Sequence, residues 1–290
     1  MRRLFNTLYI TTQETYLAQE RETIAIHIGD EKKRFPLHNL DGIICFGNIR
    51  LSPFLIGACG EKGITISYLS ENGKFLGRFS GKVSGNVLLR RQQYRYADSP
   101  QTSAQIARNM VTGKIFNTNS VLKRFLRDHP EKGEKGEIAK TISRLKSSLN
   151  YLRKTPELET VRGIEGDSAA AYFTLFGGLI IQQSKDFTFS GRSRRPPMDR
   201  VNALLSFVYT LLYHDMISAR ESVGLDPAVG FLHRDRSGRN SLSLDLMEEF
   251  RPFFADRLVL SLINRQQINS KDFKKHVSGA VYMKENPAKQ

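Results

Sequence analysis

The hydrophobic period of this chain changes near residue 85, and a two-part fold follows from that change. Before it, short β-branched and aromatic runs stand between turn residues: TLYIT (7–11), TYLAQ (15–19), TIAIHI (23–28), GIICF (42–46), ITISYL (64–69) and KFLGRF (74–79). Such runs predict strands. One helix is expected among them, from Ser52-Pro53 through Cys59, because Ser before Pro is a helix-start signal. Gly73, Gly77 and Gly81 recur at intervals of four, but no Lys-Ser/Thr follows as a phosphate loop requires, so hairpin turns and bulges are predicted there. From Asn86 the pattern turns helical, beginning with a connecting helix over VLLRRQQYRYA. Val201, Leu204, Leu205, Val208, Leu211 and Leu212 mark an amphipathic core helix, which Asp199 is placed to cap. HPEKGEKGE (129–137) reads as a solvated loop. The fold class expected is α+β: a β-rich N-terminal domain over 1–85, with dimerisation or partner contacts, and a larger all-α catalytic and DNA-binding domain over 86–290.

Charge narrows the partner. Among 290 residues, 44 Lys and Arg stand against 29 Asp and Glu, a formal net charge of +15. Residues 1–85 hold 11 basic and 8 acidic side chains, net +3, which leaves 33 and 21, net +12, for the rest. With 40% hydrophobic residues, 18 Phe and 10 Tyr, the composition is that of a globular protein, so this charge sits on a folded surface and points to a polyanion. Two cysteines, Cys45 and Cys59, build neither a disulfide framework nor a zinc cluster and fit a reducing cytoplasm. No apolar run approaches the roughly 20 residues of a membrane-spanning helix, and no membrane role is expected.

Three segments bear on chemistry. Glu165, in RGIEGDSAAAYF, stands before a small-residue run and reads either as a site carboxylate or as an acidic residue favoured at a helix N-terminus. His233, in VGFLHRDRSGR, is followed by Arg234, Arg236 and Arg239; it is either a ligand among phosphate-neutralising arginines or a surface histidine. In SLSLDLMEEFRP, residues turn by about 100° each on a helix, so Asp245 lies about 60° from Glu248 and about 40° from Glu249, on one face. That face is either solvated or gathered on a cation. Clustered carboxylates near a phosphate-binding surface favour a hard cation, Mg²⁺ or Mn²⁺, between them.

Four stretches, RGIEGDSAAAYF, RSRRPPMDRVNALLSFVYTLL, GLDPAVGFLH and SLSLDLMEEFRP, together with ISYLSENGKFLGRF in the first part, resemble the Cas one family of CRISPR-associated spacer-acquisition integrases. The resemblance covers nearly the whole chain. It implies a metal-dependent DNA integrase or endonuclease that inserts short foreign fragments into a CRISPR repeat array, by attack of a 3′-hydroxyl on a phosphodiester. It implies a homodimer that assembles with a Cas two dimer on double-stranded DNA, the prespacer fragment and the repeat array, and possible cooperation with a Cas four-type nuclease. Matched residue by residue, Glu165, His233 and Glu248 take the positions of the metal ligands, and Asp245 that of the acidic neighbour at the catalytic centre. The family often has aspartate where this chain has Glu248. Arg192, Arg194 and Arg195, with Arg234, Arg236 and Arg239, are the expected DNA contacts. The alternatives are a stand-alone nuclease acting on branched or single-stranded DNA, a non-catalytic DNA-binding scaffold, and an RNA-binding protein, for which no RNA-recognition motif is present. If Glu165, His233 and Glu248 converge without a metal, mutual repulsion predicts that Glu248→Gln leaves stability unchanged or slightly raised.

Overall fold

The computed structural model describes residues 6–71, 73–81, 87–131, 135–155 and 157–284. The expected boundary at Gly85–Asn86, and part of the 129–137 loop, lie outside them. The chain divides into two compact units. Residues 1–89, with 214–225 and 284–290, form the first; residues 90–213 and 226–283 form the second.

In the first unit the predicted strands appear as β1 (Thr7–Ile10), β2 (Tyr16–Glu20), β3 (Thr23–Ile28), β5 (Gly42–Phe46), β7 (Thr65–Leu69) and β8 (Phe75–Phe79). Two more, β4 (Glu31–Pro36) and the two-residue β6 (Arg50–Leu51), complete the set. One sheet runs β1-β5-β7-β8, parallel except at its last pair; the other runs β4-β3-β2-β6 and is antiparallel except where β2 meets β6. The central strand β5 is buried along its whole length, as a parallel strand covered on both faces must be. Helix α1 (Pro53–Lys62) starts as predicted: the Ser52 hydroxyl accepts from the Leu55 amide at 3.1 Å. It ends on Gly63 at φ +70, a left-handed position that favours glycine. Leu17, Ile24, Ile43, Ile66 and Leu55 meet in one apolar cluster, and Cys45 and Cys59 are buried in it as free thiols.

The second unit is helical. It contains most of α2 (Val87–Asp98), then α3 (Pro100–Asp128), α4 (Lys135–Leu152), α5 (Leu158–Phe176), the start of α6 (Arg200–Val223), α7 (Ser241–Phe250) and α8 (Arg257–Asn264). A π-helical turn, Arg251–Asp256, joins the last two. Asp199 caps α6 as predicted, accepting from the Asn202 amide at 2.7 Å. One feature departs from an all-helical reading: β9 (Phe273–Lys275) and β10 (Val281–Met283) form an antiparallel hairpin, too short to show an alternating pattern. The 29-residue α3 is the axis of the unit, packing against α4, α5, α7 and the π turn. Ala104, Ala107, Val111, Ile115, Thr118 and Leu122 form its buried stripe, at the three- and four-residue spacing of a helix face. Among the described residues, no helix is long and apolar enough to cross a membrane.

Candidate active site

Two helices of the second unit and one irregular segment bring the predicted residues together. Glu165 comes from α5, Glu248 and Asp245 from α7, and His233 from the segment between α6 and α7. The expectation that Glu165 heads its helix is corrected: α5 begins at Leu158, so Glu165 stands two turns inside it, beyond reach of the N-terminal dipole. A merely dipole-favoured carboxylate is therefore not what this residue is.

Asp245 is fully buried and completely engaged. One oxygen, Oδ2, accepts from the backbone amides of Phe231 at 2.6 Å and Leu232 at 2.9 Å. The other, Oδ1, accepts from the His233 amide at 2.9 Å and lies 2.6 Å from His233 Nδ1. A carboxylate in that position fixes the imidazole proton on Nδ1 and leaves Nε2 bare. Gly230 makes this closeness possible: a Cβ there would lie 2.7 Å from Asp245 Oδ2 and 2.8 Å from the Ser241 side chain. The acidic triplet of α7 thus separates by task. Asp245 fastens the histidine segment, Glu248 faces the site, and Glu249 lies outside it, its side chain over Gly113 of α3.

Glu248 is buried, and His233 Nε2 lies 3.9 Å from its Oε1. The same oxygen accepts from Arg251 Nη1 at 2.6 Å, while Oε2 accepts from Lys114 Nζ at 2.5 Å. Burial alone would push the Glu248 carboxyl up, but Arg251 and Lys114 outweigh it and hold it at about 2. Lys114 also donates to Glu165 Oε1 and so joins both glutamates. Its pKa is raised: burial acts against the charge, but the two carboxylates prevail. The expected repulsion between bare carboxylates is therefore absent, because two buried cations separate and neutralise them. Among the described residues, no three Asp, Glu, His or Cys side chains stand grouped as a metal cage; Glu165, His233 and Glu248 share one neighbourhood with Lys114 between the two glutamates.

Lys114, Arg251, Tyr209 and Asp256 were not among the residues singled out from sequence. Lys114 occupies the apolar stripe of α3, three residues after Val111 and next to Ile115, and a lysine in such a stripe was the available signal. Arg251 and Arg192 lie over the Tyr209 ring, each 5.1 Å from its centroid. The Tyr209 hydroxyl donates to Asp256 Oδ1 at 2.5 Å. Burial pushes the Asp256 carboxyl up to about 6 despite that hydrogen bond and the nearby Arg251.

Two arginine-walled cavities open beside His233. The smaller, about 340 Å³, carries Arg162, Arg234, Arg236 and Arg239 along with Glu165 and His233. The larger, about 790 Å³, carries Arg192, Arg194, Arg195, Arg236 and Arg239 with His233. All six arginines expected from sequence therefore line the site. They are not equivalent: Arg192 donates to Asn202 Oδ1 at 2.6 Å and Arg234 to Glu159 Oε2 at 3.0 Å, so both also brace the protein.

Comparison with known proteins agrees with this architecture. The model of the family described as CRISPR associated protein Cas1 matches residues 8–290. A protein of Chlorobaculum tepidum named CRISPR-associated endonuclease Cas1 is 53% identical over all of this chain and 84% of its own length. Among solved structures, a CAS1 protein from Thermotoga maritima superposes with a TM-score of 0.81 at 26% identity, over 97% of this chain and 86% of that one. A casposase bound to integration product superposes with a TM-score of 0.80 at 26% identity, over 98% and 80%. A family match across nearly the whole chain, with a close relative along its full length, shows that this chain belongs to the CRISPR-associated Cas1 family.

Proposed function

We propose that this protein is a metal-dependent DNA integrase that joins the 3′-hydroxyl end of a short DNA fragment to a phosphodiester of a CRISPR repeat array. The observation that carries the proposal is the meeting of two arginine-walled cavities at one histidine whose Nε2 faces a buried glutamate. Two DNA segments, the incoming end and the strand attacked, need two phosphate-binding surfaces at one reactive point, and a plain hydrolase needs one.

The donor set fits Mg²⁺ or Mn²⁺. An imidazole with Nδ1 committed to Asp245 offers Nε2, and Glu165 and Glu248 offer hard oxygens; these three would hold the ion, with Asp245 orienting His233. When bound, a divalent cation there activates a hydroxyl nucleophile and stabilises the leaving oxygen. The protein's own groups do the rest. Arg236 and Arg239, which line both cavities, hold phosphates on either side of His233. Arg251 fixes the Glu248 carboxylate through its Oε1. No protein nucleophile is required, because the fragment supplies the attacking oxygen.

The partners proposed are a second copy of this chain, a Cas two dimer, double-stranded DNA and, in processing, a Cas four-type nuclease. Work in the cytoplasm suits two buried thiols. Strand joining against hydrolysis on one supercoiled repeat plasmid separates the integrase from a stand-alone nuclease. A scaffold would bind DNA equally well in EDTA and be indifferent to Glu165→Ala. Arg236→Ala is expected to weaken DNA binding to a similar extent for any sequence, and to lower the slope of log K against log salt by about one. Binding isotherms at several salt concentrations check this; an unchanged slope would remove Arg236 from the phosphate contacts.

A further inference from the structure

Lys114 is the element of the site that the proposed chemistry does not use. Its ammonium is buried, and it touches one oxygen of each carboxylate assigned to the metal, Oε1 of Glu165 and Oε2 of Glu248. It comes from α3, which contributes no other group to the reaction. We propose that Lys114 is a built-in competitor for the divalent ion, which keeps metal affinity low until DNA arrives; this rests on the metal-site reading above.

The argument is one of charge at close quarters. The directly bonded inner group, Glu165, Glu248 and Asp245 against Lys114 and Arg251, sums to −1, with His233 neutral as a ligand must be. The cavity arginines Arg162, Arg234, Arg236 and Arg239 lie outside that group and are the ones DNA phosphates would cover. Asp256, which accepts from the Tyr209 hydroxyl, and Arg192, over the Tyr209 ring, offset each other. A dication alone turns −1 into +1 in a buried place, where an unbalanced charge is strongly unfavourable. A dication and one phosphodiester together bring it to zero. Without Lys114 the site would carry −2, which the dication balances by itself. The lysine therefore links the two ligands: metal tightens when a DNA phosphate is present and, by reciprocity, DNA binds more tightly with metal.

Such coupling would spare the free protein a tightly loaded, hydrolytically competent centre. It differs from a tether, in which Lys114 only holds the carboxylates in position. A tether predicts weaker metal binding on its removal, and a competitor predicts tighter.

The test is Mn²⁺ titration of the full chain, with free Mn²⁺ read by electron paramagnetic resonance, with and without a short duplex. Wild type, Lys114→Met, Lys114→Arg and His233→Ala are compared. Without DNA, Lys114→Met should bind Mn²⁺ about tenfold more tightly than wild type, the size of an ordinary coupling between sites. Lys114→Arg, which keeps the charge, should stay close to wild type. DNA should tighten Mn²⁺ binding to wild type more than to Lys114→Met. Equal or weaker Mn²⁺ binding by Lys114→Met overturns the proposal while leaving the metal site standing. Binding that His233→Ala does not alter overturns the metal site itself. Loss of Lys114 also leaves the buried Glu248 and the half-buried Glu165 without their shared cation, so melting is followed in parallel. Mn²⁺ should raise the melting temperature of Lys114→Met more than that of wild type, and a variant that stays unfolded in Mn²⁺ also counts against the proposal.

Discussion

Glu248→Gln should lose about 3–5 kcal/mol of stability at neutral pH, the cost of breaking a buried ion pair from one side. The side chain is buried and bonded at both ends, to Arg251 at 2.6 Å and to Lys114 at 2.5 Å. A neutral amide would present an NH₂ group to one of the two cations and remove the carboxylate charge from both, leaving Arg251 buried without the counter-ion it pairs with here while Lys114 keeps only Glu165. The pH dependence has a definite sign. A carboxyl held at about 2, against its ordinary 4.5, contributes stability that is fully present above pH 4.5 and lost as pH falls through 2. That difference corresponds to about 3 kcal/mol, in the range of the ion-pair estimate. Chemical denaturation at pH 7 and at pH 3 should therefore show a large gap between wild type and variant at the higher pH and a smaller one at the lower. Equal stability at pH 7 would restore the repulsion argument drawn from sequence, which counted the carboxylates without the cations between them.

Asp245→Asn should be comparably damaging, and its effect should reach the chemistry through His233. The carboxylate accepts from three successive backbone amides and from the imidazole, four interactions that all call for an acceptor. An asparagine replaces one of those acceptors with a donor. With NH₂ on the Oδ1 side it faces the His233 amide and Nδ1; with NH₂ on the Oδ2 side it faces the amides of Phe231 and Leu232. The first placement also moves the imidazole proton to Nε2, the nitrogen assigned to the metal. Loss of a second partner of this kind typically costs 10–100-fold in metal affinity or activity. Mn²⁺ affinity and strand-joining rate should both fall by about that factor, and the melting temperature should drop as the Phe231–His233 segment loses its anchor. An Asp245→Asn protein with unchanged Mn²⁺ affinity would show that the imidazole orientation does not depend on this carboxylate.

The parts of the fold that sequence made legible are those whose burial is periodic. β3 and β5 lie where β-branched residues alternate or run together, and α6 starts at its Asp199 cap. β4, EKKRFP, escaped because it is exposed along almost its whole length and carries no apolar face to betray it. The hairpin of β9 and β10 escaped because three-residue strands are shorter than any pattern. The start of α5 was misplaced toward its small residues, Ser168 to Ala171, since nothing at Glu157 signals a cap and no side chain caps it. In the site, the motif residues were legible as a set, but their division of labour was not. That Asp245 serves backbone amides, and that Lys114 and Arg251 neutralise Glu248, are facts of three-dimensional packing between segments up to 134 positions apart. The assignment of residues 214–225 to the first unit is likewise invisible in the sequence, because α6 runs unbroken across the change.

The central claim is that Glu165, His233 and Glu248 form a metal-dependent strand-joining centre. The most direct test uses a labelled short duplex with 3′-hydroxyl ends and a supercoiled plasmid carrying a repeat, in Mg²⁺, Mn²⁺ or EDTA, for wild type and His233→Ala, each with and without the Cas two partner. The account predicts joined product that requires the divalent ion and disappears in His233→Ala. Hydrolysis without joining in the presence of the partner, or joining that survives in EDTA or in the variant, would contradict it.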